Sequence, residues 1–504
     1  MSAPAALTLA GGRLVVEHED GTHTASEPVD VRIRDGRIEA IVPHAPVNLT
    51  GPDTLDVRGM LVVAGLVNGH THSHETFHKG RYENLPLEVW MHYVRPPFPT
   101  PPLDAEAVYL RTMVTAIEAL RGGATTVVDD VNQFPHLRDD HIEAVFRAYE
   151  DLGLRALVSV SLFDRPFFRA VPYIEEELPA ALLAELSAAP APDPKRLVEL
   201  AADLIKRRHP HRHRVGFIVA PSAPQRCTDQ FLVDLLGLAR QERMPTIIHV
   251  HETRLQAVTG QRFYRKTMIA HLDDLGVLGP LLSLIHGVWL RPDDISRLAS
   301  AGATVQHNPV SNLRLASGLA PVRALIDGGV NVSLGSDGCG SCTSSGMLHV
   351  VGAAAMLHTL RGEMRGWVGA REAWAMGTVN GARALGFEDL GRVVPGQRAD
   401  LVCYRLDGVG FTPLNDPLRQ LVCGERGQSI DTVVIDGRVV MRGGRITTVD
   451  EAGLLAAARE VHGKLVPDIA RCDGLVDQIR PVYERIYRRC LSQPIPADTY
   501  PARF

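Results

Sequence analysis

The apolar and polar positions of this chain change rhythm twice. Residues 1–60 alternate with a period of two, in LTLAGGRLVV, VDVRIRDGRIEAIV and TLDVRG. That is the pattern of strands with one face buried. Asp35-Gly36, between two such runs, predicts a tight hairpin turn. The same rhythm returns late, in ADLVCYRL and TVVIDGRVVMRGGRITT. Neither end is long enough alone for a well-buried core. Together they predict one small β-sandwich domain built from residues 1–60 and 390–450.

Between these ends, short apolar runs alternate with helical spacing. The runs are LVVAGLVN, TTVVDD, RALVSVSL, RVGFIVAP, TIIHVHE, LSLIHGVW, ATVQHNP and VNVSLGSD. Segments such as AEAVYLRTMVTAIEALRGG and ISRLASAG separate them and read as helices. Eight strands joined by crossover helices predict an α/β fold, a (β/α)₈ TIM-type barrel over residues 61–389. The Pro- and Ala-rich stretch from Phe163 to Asp193 is longer than a usual βα connection, and is expected to be an inserted loop with a short helix over the active site. Residues 451–504 predict a helical extension that ends in the irregular SQPIPADTYPARF.

Composition narrows the function. Of 504 residues, 45% are hydrophobic and 22% charged, the balance of a soluble globular protein. A net charge of -5 argues against nucleic acid or an acidic membrane surface as partner. No apolar run approaches the ~20 residues of a membrane span, and the first residues lack the basic start of a secretory leader. Seven scattered cysteines, an odd number, suit reduced thiols and the cytoplasm. Cys339 and Cys342 form a CGSC pair, but no thioredoxin-like βαβ context accompanies it. The expected partner is a small molecule.

Candidate chemistry lies where the strands end, because barrels of this type carry their catalytic groups at the C-terminal ends of the strands. The first run ends in Asn68-Gly69-His70-Thr71-His72, and the fifth in His249-Val250-His251-Glu252. The sixth ends at His286, the seventh at His307-Asn308 and the eighth at Ser336-Asp337. Alternate residues of a strand point the same way, so His70 and His72 face one point. Imidazole and carboxylate are the ligands zinc takes, and iron fits the same set. With 21 histidines in the chain, isolated ones mean little. His74, His78, His251, the 209–213 cluster and His349 are therefore read as structural, as is His92 taken alone.

The stretches VAGLVNGHTH, IHVHET, IHGVWL, HNPVSNLRLASG and LGSDG follow in order the motifs of the amidohydrolase superfamily. The chain resembles the branch of cytosine, guanine and S-adenosylhomocysteine deaminases and triazine hydrolases, over roughly residues 60–400. GRVVPGQRADLV and TVVIDGRVVMRGGR fit the flanking β domain of that family. The resemblance implies metal ligands at His70, His72, His249 and Asp337. It implies an acid–base role for Glu252, a place beside the activated water for His286, and a proton-accepting role for Asp337. It sets His307, Asn308 and Asn312 in a motif that shapes the pocket or supports Asp337.

Two positions depart from the pattern. Ala64 replaces the usual proline of the first strand, and Ser222 stands where the adenosine-type deaminases have a histidine. No lysine at the end of the fourth strand is placed to bridge two metals, so one divalent metal per chain is expected. Ser222 and Gln225 on that strand are plausible substrate contacts. So are Arg81, Trp90, His92 and Tyr93 of KGRYENLPLEVWMHYVRPP, whose LPLEVWM resembles the corresponding segment of the deaminase branch. The expected activity is hydrolytic deamination at an amidine-like carbon of a purine, pyrimidine, pterin or triazine, by a homodimer. One alternative is a hydrolase that displaces chloride or an alkylamine from a triazine, or an amine from a urea. Another is a metal-binding protein without catalysis, against which Glu252 and Asp337 speak.

Overall fold

A computed structural model describes residues 6–45, 53–98, 100, 102–133, 135–188, 191–342 and 344–503. Eight parallel strands form its centre: β1 (Leu66–Thr71), β2 (Ala124–Asp130), β3 (Arg155–Ser159), β4 (Val215–Phe217), β5 (Thr246–Val250), β6 (Leu282–His286), β7 (Thr304–His307) and β8 (Asn331–Leu334). They pair in chain order as two four-stranded parallel sheets, β1 to β4 and β5 to β8. Backbone hydrogen bonds cross both seams. Ile247 N donates to Val219 O (3.1 Å) between β4 and β5, and Asp337 N donates to His70 O (2.9 Å) between β8 and β1. The strands are buried on both faces, as parallel strands under helices must be. Val67, Val128, Leu157, Ile218, Ile247 and Ile285 cluster with Leu385 and Phe387. The architecture is of the TIM-barrel type.

Capping fixes the intervening helices. Asp104 accepts from Ala107 N (2.7 Å) at the start of the helix Ala105–Arg121, and Gly122 ends it. Thr228 and Thr253 cap Asp229–Gln241 and Arg254–Tyr264 in the same way.

The first apolar run is two strands rather than one. Met60–Ala64 pairs antiparallel with Leu401–Arg405 in another sheet, and β1 begins only at Leu66. The switch falls at Gly65, where a Cβ would stand 2.1 Å from Thr125 Oγ1. Only a residue without a side chain lets the backbone pass there.

Two further sheets flank the parallel strands. One runs Arg37–Pro43, Val29–Arg34, Ala6–Gly12, Thr54–Asp56. The other runs Arg445–Ile446, Arg438–Arg442, Ile430–Ile435, Leu401–Arg405, Met60–Ala64. Leu9, Val31 and Ile33 of the first share a buried cluster with Leu401, Cys403 and Val434 of the second. The expected hairpin is present: Arg34 pairs with Arg37, and Asp35 and Gly36 both have positive φ (49° and 76°). Arg155, at the start of β3, reaches this region as a buried cation. Its Nε donates to Asp400 Oδ2 at 2.9 Å, and its Nη2 to Asp436 Oδ1 at 3.1 Å.

The inserted segment forms short helices at Phe167–Ala170, Ile174–Glu177 and Ala180–Ala188. Its residues 189 and 190 lie outside the described residues. It packs with α1 (Leu87–Val94) and α2 (Glu451–Ser492). Phe168, Val171, Ile174, Val89, Tyr93, Ile479, Val482 and Ile486 make one satellite core. α2 continues through Pro467 and Pro481, each of which removes one helical donor. No helix among the described residues is long and apolar enough to cross a membrane.

Candidate active site

The C-terminal ends of β1, β5, β6 and β8 converge. His70 Nε2 and His72 Nε2 stand 3.6 and 3.4 Å from Asp337 Oδ1. The rings of His70 and His249 are 4.9 Å apart between centroids, and those of His72 and His249 lie stacked at 5.5 Å. His286 Nε2 is 3.9 Å from Asp337 Oδ2 and 3.7 Å from Glu252 Oε1. His286 and Asp337 hold positive φ, 77° and 64°. For residues with a side chain this is a strained conformation that surrounding structure must enforce.

Outer contacts aim these groups inward. His72 Nδ1 donates to Asp130 O (2.6 Å) and His249 Nδ1 to Ser222 O (2.9 Å). Each bond leaves an Nε2 lone pair free to bind an ion. His286 Nδ1 donates to Asn312 Oδ1 at 2.8 Å. Asp337 accepts from Ser311 Oγ (2.6 Å) and Gly338 N (2.8 Å).

The residues fit a metal. Both ring nitrogens of His70 are buried without a hydrogen-bond partner among the described residues. Such nitrogens are costly unless something binds them. His70, His72 and Asp337 present donor atoms within 4.8 Å of one another, as do His70, His249 and His286. Burial, and then neighbouring positive charge, holds His70, His72 and His249 well below the usual imidazole range. Neutral imidazole is the form that binds a metal. Burial would raise Asp337, but His70, His286 and the Ser311 hydroxyl outweigh it and keep the carboxylate ionised.

Glu252 lies just beyond the His70–His72–Asp337 group. Its Oε2 accepts from Gln256 Nε2 at 3.3 Å. Burial pushes its carboxyl well above the usual range, and Asp337 and Glu88 add to the rise. A group raised in this way can carry a proton at neutral pH.

The cavity above is lined by Trp90, Ser222, Gln225, Glu252, His286 and Asp337 among others. Three other expected substrate contacts lie elsewhere. His92 packs its ring 3.7 Å from that of Tyr483 and beside Phe167, between α1 and α2. His307 is fully buried and meets His358 (Nε2 to Nε2, 3.2 Å). Asn308, also fully buried, approaches His286 Nδ1 at 3.3 Å, so both β7 residues support the site from beneath. Arg81 pairs with Asp473 (2.6 Å), and Tyr93 Oη donates to Asp477 (2.5 Å), so both bind α2 rather than substrate. His251 accepts from Met268 N (3.0 Å) and is structural, as read from its parity.

Four lining residues escaped the sequence reading: Glu75, Glu88, Arg95 and Arg226. Glu88 is 2% exposed, and neither carboxylate oxygen makes a well-formed hydrogen bond, although the Thr253 hydroxyl stands nearby. A buried charge pattern of this sort leaves no periodic signal. Only Glu88, inside LPLEVWM, lay in a motif already singled out.

The Amidohydrolase family model matches residues 61–440, three quarters of the chain. The chain belongs to the amidohydrolase family. This amidohydrolase is 33% identical over 437 residues to a 5'-deoxyadenosine deaminase of Methanosarcina mazei, covering 86% of this chain and 93% of that one. It is 32% identical over 429 residues to a 5-methylthioadenosine/S-adenosylhomocysteine deaminase of Pyrococcus furiosus, covering 84% and 94%. Among solved structures, an adenosine deaminase of Xanthomonas campestris with bound zinc superposes with a TM-score of 0.76 at 28% identity, covering 93% of this chain and all of that one. An atrazine chlorohydrolase of Arthrobacter aurescens, complexed with zinc, superposes with a TM-score of 0.77 at 24% identity over 90% of this chain, a likeness of fold.

Proposed function

We propose that this amidohydrolase is a hydrolytic deaminase of an aminated nitrogen heterocycle. The observation that carries the reading is the place of Glu252, whose carboxyl is 3.7 Å from His286 and outside the group of His70, His72 and Asp337. A carboxyl so placed is free to move protons, and the deaminases among the relatives favour ammonia as leaving group.

His70, His72, His249 and Asp337 would hold one divalent metal, zinc by the analogy of the zinc-bound neighbours. That ion supplies Lewis acidity, which brings the ionisation of water toward neutral pH. Asp337 takes the proton released by the attacking water. The oxygen adds to the amidine-like sp² carbon, and Glu252 delivers a proton to the adjacent ring nitrogen. His286 polarises the carbon's substituent from the far side. Collapse breaks the exocyclic C–N bond, and the amino group leaves as ammonia once a proton has been returned to it. Trp90, Ser222 and Gln225 line the space the ring would fill.

The same proposal takes residues 1–60 and 390–450 as one β-sandwich domain, 61–389 as a closed (β/α)₈ barrel and 451–504 as a helical extension. It takes the enzyme as a cytoplasmic homodimer. Seven free cysteines among the described residues agree with a reducing compartment.

Metal analysis of the purified protein is expected to give about one zinc or iron per chain, and His249→Ala to release it and abolish activity without unfolding. Two ions per fully active chain would overturn the single-metal claim. The zinc-loaded protein should release ammonia from at least one member of a panel of aminopurines, aminopyrimidines, aminopterins and aminotriazines. Chloride or alkylamine release, with no ammonia, would point to triazine hydrolysis instead.

A further inference from the structure

Two guanidiniums line the catalytic cavity without a carboxylate to hold them. Arg95 donates through Nε (3.1 Å) and Nη2 (2.8 Å) to His74 Nε2. Arg226 is 6% exposed, its Nε is buried without a partner, and its guanidinium lies over the Phe163 ring at 3.9 Å. Neither forms an ion pair among the described residues, whereas most other arginines here do. A buried cation without a counter-ion is strongly disfavoured. Burial pushes both down from the usual range, Arg226 to about 9, and the charge of Arg95 adds to the fall at Arg226. Both remain charged at neutral pH and lie near enough to feel one another. Arg95 is also the largest influence on His72 after burial itself, so the pair stands close to the reacting centre.

We infer that Arg95 and Arg226 form an anion subsite, and that the preferred substrate is an aminated heterocycle bearing a carboxylate on the ring or on a short link. This deepens the deaminase proposal and rests on it. The planar fork of a guanidinium matches a carboxylate edge. Glu75, Glu88, Glu252 and Asp337 line the same cavity, so a monoanion is tolerated where a phosphate dianion would meet strong repulsion. The carboxylate supplies the counter-ion that the folded chain lacks. Glu88, with no well-formed hydrogen bond of its own, is left to face the ring's N–H groups.

The test uses the zinc-loaded, full-length enzyme and sets of aminated pyrimidine, purine, pterin and triazine rings, each as carboxylate, carboxamide, phosphate and unsubstituted ring. The carboxylate should exceed its carboxamide in kcat/KM by on the order of 10–100-fold. Arg95→Met and Arg226→Met should each collapse that ratio and leave turnover of the carboxamide nearly unchanged. Their thermal midpoints should stay level or rise, because an uncompensated charge leaves the interior; a structural arginine would lower them. Equal turnover of carboxylate and carboxamide, a preference for phosphate, or a ratio unmoved by both variants would overturn the inference. If no ring releases ammonia, the deaminase proposal fails, and equilibrium binding of the oxo-ring carboxylates still judges the subsite. Weaker binding to Arg226→Met than to wild type supports it, and equal binding overturns it.

Discussion

Glu252→Gln is expected to lower kcat by on the order of 10²-fold or more while bound metal stays near wild type. The substitution keeps the shape of the side chain and removes its acid. Gln256, which donates to Glu252 Oε2, can serve the amide as well, so the local packing should hold. Metal content should hold for a second reason: the nearest approach printed for Glu252 is to His286, not to the His70–His72–Asp337 group. KM should change little, since a proton carrier acts mainly as the transition state forms. A variant with near-normal kcat would refute the shuttle role. It would also move the activity toward a leaving group that needs no proton.

Asp400→Ala should be the most damaging single change outside the cavity. Arg155 and Asp400 have side chains 1% and 0% exposed, and the cation lies between β3 and the strand that begins at Leu401. Removing one partner of such a pair typically costs about 3–5 kcal/mol, because the other charge stays buried. Asp436, whose side chain is 37% exposed, replaces little of the lost interaction. Differential scanning fluorimetry of the metal-loaded protein should show a marked fall in the unfolding midpoint. The paired replacement Arg155→Met with Asp400→Leu should recover most of it, since an apolar pair of similar volume is often neutral in such sites. If the double variant is no better than the single, the pair's worth lies in its hydrogen bonds to the chain, such as that from Asp436 N.

The parallel strands and their histidines were legible because their signals are local. A strand buried on both faces is a short apolar run, and a ligand at its end is one or two residues further on. His70, His72, His249, Glu252, His286 and Asp337 all came from that rule, and they converge in space. The split of the first run at Gly65 was not legible, because what forbids a side chain there is Thr125, sixty residues away. Along α1 the rule of proximity misled. Arg81, His92 and Tyr93 follow the first strand closely, yet α2, nearly four hundred residues later, claims all three. Trp90 points the other way, and nothing in its spacing distinguishes it from them. Arg95 and Arg226 were invisible because a lone arginine in a sequence carries no mark of whether a carboxylate will meet it.

The satellite core that joins α1, the inserted helices and α2 has a consequence for how such an enzyme changes. The ions and protons are handled on the rigid parallel strands, while the walls that meet a substrate hang on segments that pack mainly with one another. Those walls can be exchanged, lengthened or recharged without disturbing the strained backbone at His286 and Asp337. New specificity is therefore accessible by few mutations and little loss of chemistry, and a directed-evolution library confined to residues 81–95, 163–188 and 473–490 should change substrate range far more often than one spread over the strands.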